Sequence, residues 1–517
     1  MSRIRESRVL AAALVVAFTL VAGSWALAQA PGKRGGVLVL ARQGEATNLD
    51  PHKVPAFTSH RVFELVYSTL TRLGPDLSVQ PDLADSWTLA PDGRQITLRL
   101  RPARFHNGEP VTSGDVKFTY ERILNPQTKA VARAFFTDVE KVEAPDPRTV
   151  VFNLKQPNGA LLIYMAHPNA SIVSQKVAQA AGDDLSRKEH AIGSGPFRLA
   201  EWAPDNFMRF EAVKDFYVQG QPYLDGVRIN IVPDEAGIVA ALRTKAADMA
   251  LIADARVAQT LGRESGIPVS AKPSLNYHLL FLNTKRKPLD NPKVRQAIAS
   301  AIDRKQIIDT VALGSGDPTG PIPPALPFYA LPTSDYELYK RDVAKAKRLL
   351  QEAGVGPVEL TILTQTTEPV YAKDIAQIVQ QQLGEIGIKV NIELLEFGQW
   401  VQRWLKADFE MAPGLNSGQP DPDFYLFRYF TNDGNLNFVH SYQNEQSSDA
   451  IKRARTLADP QKRKELYAVA QRELVSGVPF VWLYVGRDYV GLQGSTKGFV
   501  HLPTGSILYL RQTWLDK

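Results

Sequence analysis

The chain runs to 517 residues, 44% hydrophobic and 22% charged, with a formal net charge of +6 and no cysteine. That composition is globular, the length suits about three domain-sized units, and so small a charge excess argues against a nucleic-acid footprint, which needs clustered Lys and Arg. The lack of cysteine excludes disulfides, thiolate metal sites, cysteine nucleophiles and the lipid-bearing cysteine of a bacterial lipoprotein.

In chain order, residues 1–28 have the three parts of a secretory signal. Arg3, Arg5 and Arg8 give the positive start, 9–22 is apolar or small apart from Thr19, and Ala26-Leu27-Ala28 is a small-x-small cleavage site. A membrane-spanning helix needs ~20 apolar residues, more than this run supplies. Cleavage after Ala28 is therefore expected, and the loss of three Arg and one Glu lowers the formal charge from +6 to +4.

Residues 37–41 read as a buried strand, followed by a helix after Thr58 that buries Val62, Leu65, Val66 and Leu70. Pro91-Asp92-Gly93 is a turn before a strand with Ile96, Leu98 and Leu100 on one face. Thr112 and Asp115 have capping-box spacing ahead of a helix over 116–123. Asn291, with Pro292 behind it, opens a helix buried through Val294, Ala297, Ile298, Ala301 and Ile302. After a stiff proline-rich loop over 318–332, a helix occupies 342–353 with Gly354 at its left-handed C-cap. Val358, Leu360 and Ile362 then alternate, Ile375, Ile378, Val379, Leu383 and Ile386 follow helical spacing up to Gly387, and Ile388, Val390, Ile392 and Leu394 alternate again. Strand, helix, strand in this order is a parallel βαβ unit, so the fold class is α/β.

Catalytic signatures are missing: the chain has no GxxxxGK[ST] loop, HExxH or GxSxG. Ser194 lies between glycines at the wrong spacing for a nucleophile elbow, and the eight histidines lack the i, i+4 spacing of a helical metal site. No cofactor and no metal are expected. Asp421-Pro422-Asp423 has the local chemistry of a turn, with a carboxylate pair for acid/base work as the alternative. Open α/β sheets bind ligands beyond the carboxyl ends of their strands, which selects the loops 42–49, 396–400 and 415–423. These carry Glu45, Asn48, Phe397, Trp400, Asn416 and Gln419, a mixture of polar and aromatic groups that suits a small-molecule cleft. Taken singly, Phe397 and Trp400 suit core packing better than a cleft.

Several motifs occur in the order of a known family. They are Gly44-Glu45-x-x-Asn48-Leu49-Asp50-Pro51, Pro81-x-Leu83-Ala84-x-Ser86-Trp87, Phe105-His106-Asn107-Gly108, Thr112-x-x-Asp115-Val116, Gly193-Ser194-Gly195-Pro196-Phe197, Asn283-Thr284, and Val294-Arg295-Gln296-Ala297 through Ala301-Ile302-Asp303. Together they resemble the bacterial extracellular solute-binding proteins of family 5, the receptors of peptide, nickel, opine and oligosaccharide ABC importers. The resemblance implies a two-lobed periplasmic binding protein of the large type II, cluster C kind that closes over a solute. Lobe I would comprise 29–275 plus 486–517 with a subdomain inserted at about 81–200, lobe II would comprise 276–485, and the hinge would lie near 276–283 and 480–489.

It also implies a monomeric, periplasmic protein without a lipid anchor that delivers its solute to an inner-membrane ABC permease with ATPase subunits. Glu45 and Phe397 match cleft positions of the family. Leu415 and Gly418 stand where peptide-binding members carry a tryptophan and the aspartate that pairs with the peptide ammonium. Losing one partner of a buried ion pair costs ~3–5 kcal/mol, so the expected solute is neutral or otherwise non-peptide, a sugar-like or organic-acid compound, unless Asp421 or Asp423 substitutes. Two other readings stay open, an exported hydrolase using Asp421 or Asp423 with Glu45, and a sensor or chaperone on the same scaffold.

Overall fold

A computed structural model describes residues 32–264, 266–365, 371–416 and 418–517; the expected export signal lies outside them. Its spine is one mixed sheet. One end holds Phe197–Ala203, Phe207–Ala212, Gly226–Ile231, Val37–Arg42 and Met249–Ile252, and the other holds Met411–Asn416, Glu359–Gln365 and Lys389–Leu395. Between them two long strands, Val269–Leu282 and Phe480–Leu492, pair antiparallel and run through both ends.

Val37–Arg42 pairs in parallel with both of its neighbours. A parallel strand is covered on both faces and reads as a continuous apolar run. Accordingly Leu38 and Leu40 enter one core with Val62 and Phe63, while Ala41 enters another with Ile238 and Leu242.

The two long strands lose register in the middle. Pro273 faces Arg487, but Tyr277 faces Val485. At this bulge the Leu275 N–H donates to the Pro503 carbonyl at 3.1 Å and the Leu275 carbonyl accepts from Tyr425 Oη at 2.7 Å. The bulge is thus held from both ends of the sheet.

A separate antiparallel sheet of Ala84–Leu89, Gln95–Leu100, Thr149–Leu154 and Val139–Asp146 packs with the Ser113–Leu124 helix around Leu98, Tyr120, Phe136 and Phe152. The expected capping box opens that helix. Thr112 N–H donates to Asp115 Oδ2 at 2.9 Å, and Asp115 N–H donates to Thr112 Oγ1 at 3.4 Å.

At the other end of the main sheet, Glu359–Gln365 and Lys389–Leu395 pair in parallel across the Ala372–Gly384 helix, the βαβ unit read from the sequence. Gly354 and Gly387 adopt φ of 64° and 88°, the left-handed conformation that favours glycine. Three details differ from expectation. Leu70 is buried but lies beyond the helix, which ends at Val66, and Leu394 is 45% exposed. Residues 396–400 are not a loop: the Glu396 side chain accepts from Gln399 N–H and caps the Phe397–Leu405 helix.

Candidate functional site

Segments from both ends of the sheet meet beside the bulge. The Phe57–Val66 helix contributes Phe57, His60, Arg61 and Glu64 to a cavity, the C-terminal segment adds Thr504, Gly505 and Ser506, and Gln419 faces them from the other end. Water can reach only about 50 Å³ of it, room for one or two molecules, whereas solute pockets measure roughly 300–1,000 Å³. The two ends must part for a solute to enter. A wider concavity of about 640 Å³ is lined by His106, Arg198, Arg209 and Glu211. It belongs to one end alone, and its exposed charges already pair as Arg198–Glu211 and Arg209–Glu211.

The smaller cavity is strongly charged. Arg61 Nε donates to the Gly505 carbonyl at 3.0 Å, and Glu64 Oε2 accepts from Ile507 N–H at 2.8 Å. Burial drives the Arg61 guanidinium down, while Asp488 and Glu64 pull it back up. Burial likewise raises the Asp488 carboxyl to about 6 against the pull of Arg61 and the Ser274 hydroxyl, and it raises Glu64. Arg42, at the carboxyl end of the first strand, is held down to about 9 by burial and by Arg61 beside it.

The residues selected from sequence divide. Gln419 lines the cavity. Glu45 spends both carboxylate oxygens on the hairpin at 202–205, accepting from Trp202 Nε1 at 2.6 Å and Asp205 N–H at 3.1 Å. Asn48 accepts from Asp50 N–H at 2.7 Å and shapes its own loop. Phe397, Trp400 and Trp404 form a stacked row in which Trp400 is buried in the core and the other two pack against it, with Trp400 Nε1 donating to the Leu363 carbonyl at 3.1 Å. Leu415 is 37% exposed opposite His278, and buried Asn416 donates to Tyr277 Oη at 2.9 Å.

Gly418 donates its N–H to Asn276 Oδ1 at 3.0 Å, and a Cβ there would lie 1.9 Å from Tyr425 Oη and 2.2 Å from the Leu275 carbonyl oxygen. No side chain fits, so an aspartate at this point is excluded by the tyrosine that grips the bulge.

The two neighbouring carboxylates are structural. Asp421 caps the Pro422–Phe430 helix through Asp423 N–H and takes two guanidinium nitrogens of Arg463 at 2.7 and 2.8 Å. Asp423 Oδ2 accepts from Arg455 Nη1 at 2.6 Å and from Tyr164 Oη at 2.5 Å, and Arg455 Nε reaches Asp138 Oδ2 at 3.0 Å. Asp138 and Tyr164 belong to the four-stranded unit, so this buried chain ties it to the far end of the main sheet. Phe424 strengthens the tie by entering that unit's core against Phe135, ring centroids 5.5 Å apart.

The family profile described as bacterial extracellular solute-binding proteins, family 5 Middle, matches residues 78–437. This chain belongs to that family. Among its relatives, the glutathione-binding protein GsiB of Salmonella typhi is 28% identical over 489 residues, 90% of this chain and 92% of that protein. The periplasmic binding protein DppA of Helicobacter pylori in complex with the peptide STSA superposes with a TM-score of 0.81 at 27% identity, covering 94% of this chain and 99% of that one. AgaA from A. tumefacien R10 in complex with agropinic acid gives 0.80 at 28% identity, covering 93% and 99%.

As a family 5 member the chain has the two-lobed α/β fold and is a solute-binding protein of the ABC-importer type rather than an enzyme. The expectation of a non-peptide solute finds no support, because peptide binders stand among its structural neighbours. Gly418 reflects the packing of Tyr425, and its lack of a carboxylate does not speak for the solute.

Sequence reasoning missed Arg61, Glu64, Asp488 and the Asp138–Arg455–Asp423 chain. Arg61 and Glu64 look like the solvated face of an amphipathic helix, and no local signal shows that residues 504–506 cover them.

Proposed function

We propose that the mature chain, cut after Ala28, is a periplasmic receptor without a lipid anchor that captures a small solute between two lobes and passes it to an inner-membrane ABC permease. Segments 29–275 and 486–517 form one lobe with the 81–200 subdomain inserted, 276–485 form the other, and the chain acts as a monomer. Flexure takes place at the bulge between Pro273 and Tyr277, opposite 485–487. The observation that carries this reading is the convergence of the Phe57–Val66 helix, residues 504–506 and Gln419 on one charged cavity beside that bulge. The solute lies between Arg61 and Gln419, and amino-acid-derived compounds, peptides included, are the class the relatives favour. Of the residues selected from sequence, Gln419 contacts the solute, and Glu45, Asn48, Asn416, Gly418 and Asp421 hold the loops around it.

Calorimetric titration tests the proposal. One solute per chain, with a raised melting temperature and no conversion of the solute, is expected; catalytic turnover of the bound compound would overturn it in favour of a hydrolase.

A further inference from the structure

Arg42 is 1% exposed and ends the first strand on the same face as Leu38 and Leu40, toward the Phe57–Val66 helix. Its Nη1 donates to the Thr58 carbonyl at 2.8 Å. Nε and Nη2 have no partner among the described residues. Those two nitrogens share one edge of the planar guanidinium, the edge that meets both oxygens of a carboxylate side-on.

Other buried arginines of this protein meet carboxylates. Arg463, Arg511 and Arg122 do so through their Nη1/Nη2 ends, on Asp421, Asp82 and Asp50, while Arg455 places Nε and Nη2 on Asp138. Arg42 has no carboxylate of its own, since Glu45 is spent on Trp202 and Asp205, and its other charged neighbour, Arg61, bears the same sign. Thr58, which holds Arg42, is flanked on the helix by Phe57 and Arg61, and both line the cavity between the lobes. Arg61 therefore stands at the cavity wall, and Arg42, with its free fork, lies directly behind it.

We propose that Arg42 and Arg61 receive a carboxylate of the solute, Arg42 through its Nε/Nη2 edge, so that the solute is an acid. This rests on the receptor reading above and names the class of its cargo. The shared chemistry is the carboxylate; a peptide terminus, an amino-acid head and a sugar acid each carry one.

The test titrates the mature protein calorimetrically with a panel of free dipeptides, glutathione and sugar acids, each as the free acid and as the amide of that carboxyl, together with neutral oligosaccharides. One acid arm should bind, its amide should bind about 100-fold more weakly, and the arm that binds identifies the source. Arg42→Gln and Arg61→Gln, checked for folding by melting temperature, should each bring acid and amide to within about tenfold of one another. Arg42→Lys, which keeps charge but not the fork, should retain part of the preference.

The assignment is overturned if acid and amide bind alike, if Arg42→Gln keeps the full preference, or if only a neutral compound binds. If a glutamine variant fails to fold, the acid-to-amide ratio of the unmodified protein decides alone. Failure of every compound, and of a solute extract from the host, would instead contradict the receptor reading and take this assignment with it.

Discussion

Replacing Tyr164 by phenylalanine removes one oxygen from the contact that ties the four-stranded unit to the Pro422–Phe430 helix, which the proposed division assigns to opposite lobes. The ring's stacking on Phe135, centroids 4.8 Å apart, survives the change, and Asp423 keeps its ion pair with Arg455. What disappears is the 2.5 Å hydrogen bond from Tyr164 Oη to the Asp423 carboxylate. A hydrogen bond to a charged acceptor contributes about 1.5–3 kcal/mol. When the lobes part, the hydroxyl is hydrated and makes no such bond, so the loss falls on the closed form. At ~1.4 kcal/mol per factor of ten, the ratio of closed to open molecules should fall by about 10- to 100-fold, and the apparent affinity for the solute should fall with it. Calorimetry reads the affinity, and small-angle scattering reads the compactness of the solute-free protein. Tyr164→Phe should add nothing further in an Asp423→Ala background, because the acceptor is then gone. Unchanged affinity and unchanged scattering for Tyr164→Phe would refute the interlobe role of this contact.

Gly418→Ala should lower the melting temperature sharply, since the new Cβ would meet Tyr425 Oη at 1.9 Å and a backbone carbonyl at 2.2 Å; overpacking of this kind costs ~1–3 kcal/mol or more, and a melting point unchanged within a degree would contradict it. Asp421→Asn leaves Arg463 without its carboxylate and should cost ~3–5 kcal/mol in denaturant unfolding, while the acid-to-amide preference of solute binding stays the same. Acid should destabilise the fold between pH ~6.5 and ~4. Burial lowers His52, His60, His106, His278 and His501 to about 4 and His440 to about 3. An unfolded histidine titrates near ~6.5, so over this window the unfolded chain binds more protons. The stability these residues contribute is complete above ~6.5 and is lost as pH falls through the folded values. Asp488, raised to about 6, acts in the opposite sense and offsets part of the loss. Denaturant midpoints measured across this pH range check the net fall, and a flat profile would contradict it.

What the sequence discloses is what local chemistry determines. The Thr112/Asp115 box, the glycines at 354 and 387 and the two alternating runs around 375–386 each carry their cause within a few residues, and the structure places all of them as read. The 396–400 segment reads as a loop because Glu396 can end a loop or cap a helix, and only packing of Trp400 and Trp404 selects the helix. Asp421 and Asp423 carry no local sign of Arg463 and Arg455, which lie 42 and 32 residues further on. The charged cavity is less legible still. It combines Arg61, Gln419 and Thr504, with Arg42 and Asp488 as charged neighbours of Arg61, residues far apart in sequence that only the folded chain brings together.

The most direct test of the central claim is native mass spectrometry of the mature protein isolated from its own host. The account predicts one chain carrying one small solute, and a solute that remains chemically unchanged on prolonged incubation. A protein that carries nothing, binds nothing from a host extract and converts added compounds would contradict it.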